Sequence, residues 1–368
     1  AKSLRSRVDA KGSDLELYFD QAFIEKKLEP IRRSVEVAPL EAGFDIDWLN
    51  RIQVTEARPG TLIDLEVLGR LLVQAVENRR ALFELPLRRN VEPGFSTEQA
   101  KALNIKGLVA QFTTHHPCCQ DRVKNIHRIA DLVNGSIIKP GETFSLNQLV
   151  GLRTADRGFV SAPSIEDGET VDALGGGISQ FTTTLFNAAY LGGCELLEWQ
   201  PHTYWFSRYP MGHEATLSWP KPDLVFRNDF RSGLLIRTAY TPTSITVRLF
   251  GDNTDRRVKV DVSPRRDITE PAVELIPNPK LSPEREKVTE RGEVGWSVQV
   301  TRTVTFTDRA ARNEERRVTY KPRPRRIQVH PCRIPRGDPS YTGEPCPVPS
   351  DSFEPETPDT AGTEAGER

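Results

Sequence analysis

The residues best suited to chemistry lie in the middle of a 368-residue chain. Gly175-Gly176-Gly177 stands just before an apolar helical stretch, and Ser179 follows two residues later. Glycines in front of a helix permit φ > 0 and leave N–H groups free at the positive end of the helix dipole. That is a ready site for an anion or an oxyanion. A serine hydroxyl there needs a base, because unlike a thiol it stays protonated at a helix N-terminus. His202 is the best-placed base and His213 the second, with Asp223 or Glu214 available to orient the imidazole. The competing reading is structural: Ser179 and the glycines cap the helix and let it pack tightly.

A second group is His115-His116-Pro117-Cys118-Cys119, four potential metal ligands within five residues. Zinc sites join two ligand pairs whose side chains converge, whereas adjacent residues converge poorly and no second well-spaced pair exists. No metal and no cofactor are therefore expected. These two cysteines are left as unpaired thiols or as one partner of a disulfide. The five cysteines, an odd number, neither prove nor exclude an oxidising compartment. Cys332 and Cys346 bracket a loop holding Pro335, Gly337, Pro339, Gly343 and Pro345, where a cross-link adds most, so a disulfide is expected there. Cys194, after Gly192-Gly193, reads as a small buried residue.

The elements that must position these groups imply an α+β, multi-domain protein. Residues 12–104 alternate short strands and helices: a strand at 14–19, a helix to about Leu28, strands at 33–38 and 51–57, and a helix opened by Asp64 with Leu65, Leu68, Leu72 and Val76 on one stripe. A strand at 82–88 and Pro93-Gly94 close this region, which holds neither His nor Cys. Residues 105–252 carry five of the six histidines; Asp121 opens a helix ended by Gly135, and a second helix spans about 178–191. Strands are expected at 202–209, 224–228, 234–239 and 244–250. Residues 253–346 read as β-rich, with strands at 258–262, 296–306 and 318–329. Residues 347–368, acidic and rich in Pro, Ser and Thr, bury too little to fold and are expected to be disordered.

Composition excludes some functions. Charged residues make up 27% of the chain but balance to −1, so bulk electrostatics do not point to nucleic acid. No stretch approaches the ~18 apolar residues of a membrane helix. Arg316, Arg317, Lys321, Arg323, Arg325 and Arg326 form a basic run, read as a solvated strand face, with contact to an anionic cell-surface polymer as the sharper reading. The chain begins Ala1-Lys2 and its single methionine is Met211, so a trimmed export or anchor segment is expected.

The middle region resembles the VanW family. The resemblance rests on Phe112-Thr113-Thr114, Arg122, Asn125-Ile126, Pro140 to Ser145 with Asn147, Arg153-Thr154, and above all Gly175 to Ala188. His202, Arg208, Gly212, Glu214-Ala215-Thr216 and Asp223 to Asn228 complete it. Residues 12–104 look like the peptidoglycan-binding domain that commonly precedes a VanW domain, and the C-terminal part is weakly similar to a G-five module. The His-His and Cys-Cys pairs look like a variant found among actinobacterial members. Many members carry Cys where this chain has Ser179, so a thiol mechanism is excluded here.

The resemblance implies an extracytoplasmic protein at the cell wall or the outer membrane face, held there through an N-terminal anchor and linked to cell-wall maintenance or glycopeptide resistance. The leading expectation is binding of peptidoglycan or its stem peptides at the glycine-led helix. Gly175, Gly176, Gly177, Gln180, Arg153, Arg208, Glu214, Arg227 and Asn228 are the candidate ligand-binding residues, the arginines matching carboxylates bidentately. The alternative is an amide hydrolase or acyl transferase using Ser179, His202 and Asp223. A third reading is a structural surface protein.

Overall fold

The computed structural model describes residues 4–8, 15–79, 82–166 and 169–346; the acidic tail 347–368 lies outside the described residues. The architecture is mixed α+β, with six α-helices and several small sheets among the described residues. The chain divides into two units. The first takes in residues up to His202, Phe206–Val262 and Gln299–Arg316, and the second takes in Thr203–Trp205, Ser263–Val298 and residues from Arg317 onward.

In the first unit, helix α1 (Gln21–Val35) is capped by Asp20, which accepts from Phe23 N, and α2 (Leu65–Glu77) by Asp64, which accepts from Val67 N. Their apolar stripes meet through Ile24, Leu28, Ile63 and Leu68. Residues 33–35, expected in a strand, complete the last turn of α1, because a good cap and continuous side-chain spacing carry the helix past Pro30. The strand expected at 82–88 begins at Leu87 instead and runs to Val91, pairing with Gly60–Ile63. Helix α3 (Thr97–Ala102) closes its N-terminus with a reciprocal Ser96–Gln99 capping box. It packs Ala100 and Leu103 with Phe44, Leu235 and Phe250 into a second apolar cluster.

The centre of this unit is an antiparallel sheet ordered Gly107–His115, Ser244–Gly251, Leu234–Thr241 and Ile137–Ile138. Helices α4 (Asp121–Val133) and α6 (Ser179–Gly192) pack against it. A surface helix shows one apolar stripe, whereas α6 is buried over almost its whole circumference, so it forms the core of the unit. A smaller sheet joins Glu195–Glu198, Val225–Arg227 and Thr143–Ser145, the last leading into the short helix α5 (Leu146–Val150). The strand expected at 202–209 is a series of turns. Pro201 and Pro210 bracket it, and the consecutive aromatics Tyr204, Trp205 and Phe206 do not alternate as a half-buried strand requires.

Strand Arg256–Val262 pairs with residues 300–306 of the long strand Gly295–Phe306. Beneath them an arginine cluster closes the unit. Arg256 and Arg312 both donate to the Asp229 carboxylate and the Gly193 carbonyl, and Arg302 donates to the Cys194 carbonyl and pairs with Glu314.

In the second unit, Val273–Pro277 and Arg325–Val329 run parallel, and Glu286–Glu290 lies antiparallel on the other side of Arg325–Val329. The long strand expected at 318–329 is therefore two strands, Arg312–Tyr320 and Arg325–Val329, interrupted where Pro322 and Pro324 deny the ladder its donors. Ion pairs from Arg317 to Asp267, and from Arg326 to Glu274 and Glu290, give part of the basic run acidic partners on neighbouring strands. Cys332 and Cys346 form the expected disulfide, with Cα atoms 4.8 Å apart.

Candidate functional site

The glycine run at the start of α6 is required by packing. A Cβ on Gly176 would sit 2.1 Å from the Ala162 carbonyl oxygen, and Gly175 and Gly177 hold φ of +84° and +92° against Arg153 and Arg122. Two of the three amides are already used: Gly175 N donates to Val160 O and Gly176 N to Ala173 O. Asn125 of α4 secures the same turn, donating to the Gly176 and Val160 carbonyls and accepting from Val160 N. The run thus brings the hairpin Ser161–Glu166/Glu169–Leu174 and α4 into close approach with the head of α6.

Ser179 is half-buried at the first turn of α6. Its hydroxyl accepts from Leu217 N at 3.3 Å, and among the described residues it makes no hydrogen bond to an imidazole. The segment 213–217 runs along α6: Asn187 donates to His213 O, and Thr183 exchanges hydrogen bonds with Ala215 N and Ala215 O. That path carries Glu214 to His202, whose Nδ1 lies 3.0 Å from Glu214 Oε2. The carboxylate that orients His202 is therefore Glu214. Asp223 is engaged elsewhere, accepting from Ser145 Oγ and from the amides of Asn147 and Leu224.

The His202 ring stacks on Tyr209 at 5.1 Å and meets the edge of Phe206. Glu214 is 0% exposed, and its Oε1 has no hydrogen-bond partner. Burial raises the pKa of Tyr209, opposed by Arg208 and Arg122, whose guanidinium groups face the phenol. Arg208 is exposed and covers the rings of Phe206 and Tyr209 at 4.8 and 5.2 Å. Arg122 donates to Gln180 Oε1 at 2.9 Å, and burial, with the nearby positive charge of Arg208, lowers its pKa. Neither Arg122 nor Arg208 forms an ion pair with a carboxylate among the described residues. Two guanidinium groups, a phenol and a His–Glu pair thus gather beside the head of α6.

The other expected ligand-binding residues make hydrogen bonds or ion pairs within the protein. Gln180 is 0% exposed and fully used, donating to Thr114 Oγ1 and His115 O while accepting from Arg122. Arg153 is buried, donates to Gly151 O and Asn147 Oδ1, and has its pKa lowered by burial to about 10. Asn228 ties Ile138 O and Ser232 O to Phe230 N. Arg227 is exposed and pairs with Glu195. Tyr209 is not among the residues expected from sequence; its one signal is an aromatic three residues after Phe206, which also meets the His202 ring. Among the described residues no group of three or more His, Cys, Asp or Glu is placed to hold a metal ion.

Residues 121–250 match the family model described as VanW like protein. They form a VanW-like domain. Residues 1–81 match the family model PG_binding_4, described as "Putative peptidoglycan binding domain". Over 179 residues the chain is 33% identical to the uncharacterized protein YoaR of Bacillus subtilis, covering 48% of this chain and 59% of that protein. Over 140 residues it is 28% identical to the vancomycin B-type resistance protein VanW of Enterococcus faecalis, covering 36% of this chain and 50% of that protein. The chain thus spans between half and three-fifths of the length of these relatives. The crystal structure of HP0197-G5 matches at 13% identity over 21% of this chain and 99% of that chain, with a TM-score of 0.13, too low to support a fold assignment. The VanW-like domain and the peptidoglycan-binding match together support a cell-wall-associated protein. Among the described residues no helix is long and apolar enough to cross a membrane.

Proposed function

We propose that this protein acts outside the cytoplasm, in cell-wall maintenance or a glycopeptide-resistance-related process, by binding peptidoglycan stem peptides through its VanW-like domain. The observation that carries this reading is the convergence of Arg122 and Arg208 on Tyr209, with no carboxylate paired to either among the described residues. Like charges held together in a partly buried site favour an anionic ligand, and guanidinium groups suit the free carboxylates of a stem peptide. The Cys332–Cys346 disulfide supports an extracytoplasmic location, since such bonds persist in oxidising compartments. The unassisted Ser179 hydroxyl favours binding over hydrolysis or acyl transfer by that serine.

Titration calorimetry of the full chain with defined muropeptides tests the proposal. Wild type should bind, and Arg208→Ala should weaken binding about 10- to 100-fold, the equivalent of one lost charge-assisted hydrogen bond. Equal affinity for muropeptides with free and amidated carboxylates would sink it. A second reading, hydrolysis or acyl transfer on the bound peptide, is favoured by the His202–Glu214 pair, which could act as a base on the ligand or on water. Mass spectrometry of the same incubations reads it out: a product lost in Ser179→Ala or His202→Gln would make the protein an enzyme.

A further inference from the structure

The turn between strand Gly107–His115 and helix α4 carries two adjacent cysteines that no part of the proposed binding uses. Both side chains are exposed, and their sulfurs lie 2.7 Å apart. That is closer than two sulfurs sit without bonding, and longer than the ~2.05 Å of a disulfide. Cys119 is held at φ +68°, a left-handed conformation that a non-glycine residue seldom adopts and that here turns its side chain toward Cys118. Each end of the turn is fixed to the same side chain: Gln180 donates to His115 O before it and accepts from Arg122 after it. His116 N is tied to Thr243 O as well. The backbone is thus clamped in a shape that presents the two thiols to each other and to solvent.

We propose that Cys118 and Cys119 form a reversible vicinal disulfide, a redox-sensitive modification site at the edge of the VanW-like domain. The oxidant is a small-molecule disulfide. The thiolate of one cysteine attacks it, giving a mixed disulfide and releasing one small thiolate. The thiolate of the neighbour then attacks the protein sulfur of that mixed disulfide, closing the eight-membered ring and releasing the second small thiolate. Two protein thiols lose two protons and two electrons, and the small disulfide is reduced to two thiols. Adjacent Cα atoms are ~3.8 Å apart across a trans peptide, below the usual ~4.4–6.8 Å span of a disulfide, so the closed ring is strained and easily reduced. Cys332–Cys346, at 4.8 Å, falls within the usual span and should resist the same treatment.

Native alkylation of the full chain, read by intact mass and peptide mapping, tests this. Cys194 is fully buried and its thiol is pushed up to about 12, so the native count reports Cys118 and Cys119 alone. Mildly reduced protein should take up two iodoacetamide adducts, one on each. After treatment with oxidised glutathione both adducts should be lost together, a peptide joined at 118–119 should appear, and mild reductant should restore both. In Cys118→Ser the same treatment should leave a glutathione adduct on Cys119. A lasting glutathione adduct on the wild type, a covalent dimer through either cysteine, or two thiols that remain alkylatable would each overturn the proposal.

Discussion

Gln180 shows how much one side chain can hold. It satisfies Thr114, the His115 carbonyl and Arg122 at once from a side chain that is itself fully buried. Replacing it with Leu leaves the buried Thr114 hydroxyl short of a partner and the partly buried Arg122 and His115 carbonyl to find others, so Gln180→Leu should destabilise the protein by about 1–3 kcal/mol in chemical denaturation. His213 gives a pH dependence. Its Nε2 is buried without a partner, and burial lowers its pKa from 6.5 to about 4. The folded state then holds fewer protons than the unfolded one between those values. Its contribution is fully present above about pH 6.5 and is lost as pH falls toward about 4, by up to roughly 3 kcal/mol. Thermal midpoints followed across that window should fall less steeply for His213→Gln than for wild type; identical slopes would remove His213 from the account.

At the scale of elements, α6 depends on its glycine lead-in. Gly176→Ala places a methyl group 2.1 Å from a backbone oxygen that cannot swing away, so the variant should fail to fold or lose most of its stability. The turn Asp47–Asn50 offers a gentler test in the peptidoglycan-binding match. Asp47 accepts from Leu49 N, Arg51 N and Arg51 Nε, which holds the turn while leaving Trp48 86% exposed. An indole held in water suits stacking on a sugar ring, so Trp48→Ala should lower retention on insoluble peptidoglycan without changing the melting temperature. The longer helices α2, α4 and α6 were legible in the sequence because 3.6-residue spacing and markers such as Asp64, Asp121 and the glycines before Ser179 are local signals, whereas the end of α1 and the short α3 and α5 were not. The site was legible only in part. Ser179, His202 and Glu214 stand out by type, but whether Glu214 or Asp223 meets His202 depends on how 213–217 lies along α6. Arg122 and Tyr209 come together only through the packing of α4 against a proline-bounded loop, which no periodicity records.

At the scale of the molecule, the disulfide closes a sequence separation of 14 within the second unit, worth about 3 kcal/mol by loop entropy. Hydrogen exchange under reduction should therefore show lost protection around 325–346, while α6 and the sheet beside it keep theirs. Loss of protection in α6 would mean that the two units unfold as one. The arginines that close the first unit come from late in the chain: Arg256, Arg302 and Arg312 reach back to Asp229, Gly193 and Cys194, and the stretch Gln299–Arg316 returns to this unit after an excursion through the second. During synthesis, α6 and its sheet emerge long before their last partners. At about 5–20 residues per second, the passage from Val262 to Gln299 alone leaves the Cys194 carbonyl and the second Asp229 oxygen waiting for seconds for Arg302 and Arg312, a window in which the chain is open to chaperones.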